Sequence, residues 1–161
     1  MAMAQRNSFS STEHIVWPWT SSQNRWLQAF DWIRHNTPRD ALFALNPHHM
    51  KLAGEDFHGF RALAERSMLA DLVKDPGVVA ESFALEAVRN NSKKEEKPPK
   101  IADAWYQQTR ALQGWRDFGP EEFRKLRDQF GVTWVVVEGR VVEGLVCPYR
   151  NDAVAVCRLG E

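Results

Sequence analysis

The stretch VTWVVVE, residues 132–138, decides how the rest of the chain is read. Five of its seven residues are β-branched and one is tryptophan, side chains that suit a pleated strand better than a helix. The segment before it, GPEEFRKLRDQFG at 119–131, has the opposite character. Pro120 falls near a first helical position, and Glu121 and Glu122 sit at the positive end of the helix dipole. Phe123, Leu126 and Phe130 share one face, and Gly131 supplies a C-terminal stop. A helix running directly into a strand is the repeating step of an α/β sheet.

The same step occurs near the start. In SSQNRWLQAFDWIRHNTPRD, Trp26, Ala29, Phe30 and Ile33 recur at helical spacing, Ser21 or Ser22 can cap, and Pro38 forces a stop. ALFAL (41–45) follows, a short apolar run ending at Asn46-Pro47 that suits a strand buried on both faces. Further on, a short helix is expected to about Glu65 and a strand over about 67–72, closed by an Asp75-Pro76-Gly77 turn. A helix is expected over 79–90. Ile101, Trp105, Gln108, Leu112 and Trp115 mark another, with two tryptophans on its apolar stripe. NNSKKEEKPPK, 90–100, is a charged, proline-containing exposed loop. The end of the chain reads as a loop and a last strand over about 153–159. The sum is a small layered α/β domain over 21–161, with a mainly parallel sheet of about four strands covered by helices. Residues 1–20 read as a flexible lead-in or an appended segment.

At 161 residues, one such domain holds its core without metal or disulfide staples. Lysine plus arginine equals aspartate plus glutamate at 21 each, so no global field favours nucleic acid or an anionic bilayer. The wholly apolar runs, such as 41–45, 134–137 and 153–157, are far short of the ~20 residues of a spanning helix, so the chain is expected to be soluble without inserting in a membrane. The N-terminal residues lack the apolar core of a secretion signal, so any export information lies elsewhere. The two cysteines, Cys147 and Cys157, are either two buried thiols in the cytosol or one disulfide outside it.

Several phrases, taken in order, resemble a known type of domain. WLQAFDWIRHNTPRDALFALNP, FRALAERSMLADLVKD, DAWYQQTRAL and FRKLRDQFGVTWVVVE are similar to the soluble C-terminal domain of bacterial polytopic membrane proteins related to lipid-linked-sugar-dependent glycosyltransferases. The corresponding motifs are Asn36-Thr37-Pro38, Arg66 with Lys74, Trp105-Tyr106 and residues 131–137. The resemblance spans roughly residues 22–159, and its motifs are short and mostly structural. It implies an extracytoplasmic module, excised or solitary, whose partner is an upstream membrane-embedded region or a small or carbohydrate ligand. The catalytic acid of the related enzymes belongs to their membrane half, so the resemblance implies no catalytic residue and no cofactor here.

The most chemically suggestive stretch is NPHHMKLAGEDFHGFR, 46–61, which holds three of the five histidines. His48, His49, His58, Glu55 and Asp56 include the donors of a zinc or iron site. Adjacent His48 and His49 do not share a face, however, and no H-E-x-x-H spacing fixes two imidazoles at one point. A solvated loop is the blander reading. Ligand binding without chemistry is the other, because loops leaving the carboxyl ends of strands form the crevice of an open α/β sheet. Both 46–61 and 71–74 are expected there. The candidate ligand-binding residues are His48, His49, Asp56, His58, Arg61, Arg66, Asp71 and Lys74, with the arginines facing an anionic group and Asp71 a sugar hydroxyl. The competing reading is an internal salt-bridge network of Arg61, Arg66, Asp56 and Asp71 that holds the loop shut. No nucleophile elbow or glycine-rich phosphate loop occurs. Of the seven tryptophans, only Trp17 and Trp19 are expected off a buried face. A non-catalytic recognition module is therefore expected, the rival being a small metal-dependent hydrolase built on 46–61.

Overall fold

The computed structural model describes residues 24–51, 59–89, 100–140 and 142–160 and, for 86–89, the backbone alone. The chain runs α1 (Arg25–Asn36), β1 (Leu42–Leu45), a 3-10 turn (His49–Lys51), α2 (Gly59–Ala64) and β2 (Ser67–Met68). It continues through α3 (Asp75–Arg89), α4 (Lys100–Ala111), a second 3-10 turn (Trp115–Asp117) and α5 (Pro120–Phe130). Three strands close it: β3 (Trp134–Glu138), β4 (Val146–Arg150) and β5 (Val154–Arg158). Trp17, Trp19, Ser21, Ser22, the lead-in, the charged loop at 90–99 and the 52–58 segment with Glu55, Asp56 and His58 lie outside the described residues.

The α/β class holds, but the sheet has five strands and is mixed rather than mainly parallel, in the order β2-β1-β3-β5-β4. β1 lies parallel to β2 and to β3, with Phe43, Ala44 and Leu45 opposite Trp134, Val135 and Val136. β5 runs antiparallel to both β3 and β4. The strand missed from sequence is β4, whose residues alternate between exposed and half-buried and include Pro148. Proline cannot donate to a ladder, and an outer strand is where it is tolerated. The pairing of β4 with β5 is irregular between Val146 and Tyr149. Within that irregularity Cys147 is bonded to Cys157 of β5, S–S 2.07 Å.

Other boundaries also move. Asn24, not Ser21 or Ser22, caps α1, its Oδ1 accepting from the backbone N–H of Trp26 (2.8 Å) and Leu27 (3.3 Å). The expected strand at 67–72 shrinks to two residues. Asp75-Pro76-Gly77 opens α3 instead of closing the element before it, because proline in a first helical turn has no N–H bond to lose. The next helix stops at Ala111, short of its expected stripe: within it Ile101 is exposed and Trp105 and Gln108 half-buried, while the buried Leu112 and Trp115 lie beyond its end. α5 forms as its sequence dictates, with Pro120 at its start, Glu122 Oε2 accepting from the Gly119 N–H (2.9 Å), and Gly131 at φ 75° as the left-handed stop. Those N–H bonds hold the Glu122 carboxyl below its ordinary value.

The layers follow from the connections. From β1 the chain steps outward to β2, and from β2 it steps back across β1 to β3. Right-handed crossovers in opposite directions require opposite faces. α2 packs with α1 on one face, where Phe60 meets Phe30 and Phe43, and Trp32 meets Trp134 and Tyr149. The crossover through α3, α4 and α5 passes over the other face and brings the mutually packed rings of Trp115, Phe118 and Phe123 into the same core. β1, β3 and β5 are thereby buried on both faces. Among the described residues no helix is long and apolar enough to cross a membrane.

Candidate functional site

The chain switches direction between β1 and β3, and the carboxyl ends of strands at such a switch are where open α/β sheets hold ligands. Both segments anticipated from sequence leave strands at this end. Asn46 follows β1 directly, its Oδ1 accepts from the His48 N–H (2.9 Å), and its carbonyl accepts from the His49 N–H (2.9 Å). The backbone turns sharply there, which splits the two histidines: His48 is exposed and His49 is fully buried. The His49 ring lies against Trp26 and Phe30 at the start of α1.

The Asn46 carbonyl lies 3.1 Å from His49 Nδ1. A carbonyl only accepts, so Nδ1 carries the proton and Nε2 presents a lone pair. Nε2 is buried and has no hydrogen-bond partner among the described residues. Burial holds the imidazole below the ordinary histidine value of 6.5, against the pull of Asp71, the Asn46 carbonyl and Glu138. The unfolded chain therefore binds more protons than the native one between the lowered pKa and 6.5. Stability should rise with pH through that window and fall as pH drops below 6.5, by at most ~1.4 kcal/mol per pH unit. Urea unfolding measured between about pH 5 and 8 checks this, with His49→Gln expected to flatten the slope. An unchanged slope in that variant would assign the pH dependence to other groups.

Asp71, only 2 % exposed, follows β2. Its Oδ1 accepts from the N–H groups of Val73 (2.7 Å) and Lys74 (3.0 Å), which fixes the turn into α3. Glu138 is the last residue of β3 and was not anticipated from sequence. Its Oε2 accepts from the Trp115 indole N–H (3.0 Å), while its Oε1 is buried without a partner among the described residues. The signal that could have found it was present in VTWVVVE, a carboxylate ending a buried strand.

The two arginines have different roles. Arg61 is paired with Asp75, and its Nη2 also donates to the carbonyls of Met68 (3.3 Å) and Leu69 (3.0 Å). Arg66, 7 % exposed, donates to Thr37 Oγ1 (3.1 Å) and to the carbonyls of Thr37 (2.7 Å), Arg34 (2.7 Å) and Glu65 (2.9 Å). Both hold the fold together. Lys74 is exposed. Asp71 and Glu138 thus lie near enough to His49 to act on its charge, His48 and Lys74 point outward, and Arg61 and Arg66 are committed internally. Asp56 and His58 lie outside the described residues, and among those described no group of three or more histidine, cysteine or acidic side chains could hold a metal.

The free atoms of this cluster are both acceptors, the Nε2 lone pair and a carboxylate oxygen. Its complement is a hydrogen-bond donor such as a hydroxyl or amine. Residues 24–76, from the cap of α1 to the opening of α3, match a family described as a domain of unknown function, DUF6798. No curated protein is similar to the chain. No solved structure is similar to it either.

Proposed function

We propose that this chain is a non-catalytic recognition module that holds a hydroxyl- or amine-bearing ligand at the carboxyl ends of β1 and β3. The observation that carries the reading is the pair of buried acceptors without a partner among the described residues, His49 Nε2 and Glu138 Oε1, near the switch point of the sheet. A buried acceptor left unpaired costs about 1–3 kcal/mol, a deficit that a bound donor removes. The resemblance of residues 22–159 to the tails of glycosyltransferase-like membrane proteins makes a carbohydrate the leading ligand class. It also supports a position on the extracytoplasmic side of a bacterial membrane, beside an upstream membrane-embedded region. The Cys147–Cys157 bond supports that side, because disulfides persist in oxidising compartments.

Titration of the protein with soluble neutral saccharides, followed by two-dimensional NMR, tests this. The His49 ring and Trp115 indole signals should move together and saturate, and His49→Ala should abolish the response. Saturable shifts confined to other residues would defeat the proposal. A second reading draws on the same imidazole, because neutral Nε2 is the form that binds metal. In it His48, His49, Glu55, Asp56 and His58 build a metal-dependent hydrolase. Stoichiometric zinc or iron in protein purified without added metal, lost in His58→Ala, would select it.

A further inference from the structure

We infer that the depression between the ends of β3 and β4 binds the carboxylate or phosphate group of a small organic ligand between the guanidiniums of Arg140 and Arg150. The inference rests on the recognition reading for its end of the sheet: β4 runs in the same direction as β3, so Arg150 lies at the same end of the sheet as the carboxyl end of β3. The depression is open to solvent, has a volume of about 440 Å³ and is lined by Gly139, Arg140, Arg150, Asn151 and Asp152, among others. That volume lies in the ordinary range for a small-molecule site, and far exceeds the ~30 Å³ of one water.

Its charge is positive where it is free. Asp152 is already paired with Arg25 of α1 at 3.2 Å. The Asn151 amide is fixed by the hairpin: its Oδ1 accepts from the N–H groups of Ala153 and Val154 (both 3.0 Å), and its Nδ2 donates to the Arg25 carbonyl (2.8 Å) and Tyr149 Oη (3.1 Å). Arg140 is half-buried and donates from Nη2 to the Trp115 carbonyl (3.0 Å), which holds the guanidinium in place, and its other N–H groups have no partner among the described residues. Arg150 is exposed on the outer strand, and neither arginine forms an ion pair among the described residues. Gly139, at φ 57°, has nothing within 4 Å of where a Cβ would stand, so its lack of a side chain keeps the depression open. Two arginines lining one open volume suit the oxygens of carboxylate or phosphate better than any neutral group.

The test is an NMR titration of the intact chain with citrate, with glucose 1-phosphate and with neutral glucose, at low and at physiological salt. One or both anions should shift the Gly139 amide and the Arg150 Nε–H with a saturable response that weakens as salt rises. Arg150→Glu should weaken that binding at least about tenfold, the loss of one charge-assisted bond. Arg150→Lys should recover only part, lacking the fork. Citrate alone binding would identify a carboxylate ligand, and glucose 1-phosphate alone a phosphate. The inference is overturned if neither anion perturbs these signals, or if Arg150→Glu, folded by circular dichroism, binds as tightly as the parent. Neutral saccharide moving the His49 signals while anions move nothing would sink this inference and leave the recognition reading standing. Silence from every probe would sink both.

Discussion

Phe60→Ala should lower the unfolding free energy by about 3–5 kcal/mol, the largest loss expected of any single change considered. Phe60 is fully buried in α2, with its ring 5.4 Å from Phe30 of α1 and 5.1 Å from Phe43 of β1. It is the joint between two helices and the sheet. Truncation removes its transfer free energy, leaves a cavity and breaks two aromatic pairs, each worth about 0.5–1.5 kcal/mol beyond area. The midpoint of thermal unfolding should fall by roughly 10 °C or more. Phe60→Leu, which refills most of the volume, should lose less than half as much. Equal losses for the two variants would mean that the site collapses around alanine and that the joint is not rigid.

Arg66→Ala should rank second, at about 3 kcal/mol. Its guanidinium sits at the C-terminal end of α1, where the last carbonyls of a helix lack partners and the dipole favours a cation. Removing it strands the carbonyls of Arg34 and Thr37 near the protein interior and leaves the Thr37 hydroxyl only its bond to the Ile33 carbonyl (2.7 Å). Glu65, whose carbonyl also meets Arg66, stands at φ 51°, a left-handed conformation costing of order 1 kcal/mol in a residue with a Cβ. Arg66→Lys should recover little, because an ammonium does not span three carbonyl positions. A double-mutant cycle with Thr37→Val should show coupling above about 0.5 kcal/mol. Additive losses would refute the clamp.

That clamp also shows what the sequence could and could not express. Asn36-Thr37-Pro38 and Arg66 were visible as separate motifs; their contact joins residues 29 positions apart and has no local signature. Local rules worked where local physics decides. The apolar spacing of Trp26, Ala29, Phe30 and Ile33 gave α1, and the β-branched run gave β3, which lies beside β1 as the apolar character of both suggested. They failed where tertiary context overrides composition. β4 escaped because an outer strand needs no apolar run, and Asp75-Pro76-Gly77 was taken for an ending although the same residues serve a beginning.

The loops that leave β1 and β2 were legible by position and less so by residue. His49 and Asp71 were anticipated from loop placement. Glu138 was not, since a carboxylate closing a strand looks like an ordinary boundary. Arg61 and Arg66 looked available because sequence reports charge and not whether a guanidinium is already surrounded by carbonyls.

The two outermost strands differ greatly in length and share one property. β2 offers only Ser67 and Met68, and β4 is interrupted by Pro148 and crimped by its irregular pairing. Neither presents a long, regular row of unpaired backbone groups onto which a foreign chain could zip. Associations that extend the sheet sideways, including fibrillar ones, are therefore discouraged at both margins of the described sheet.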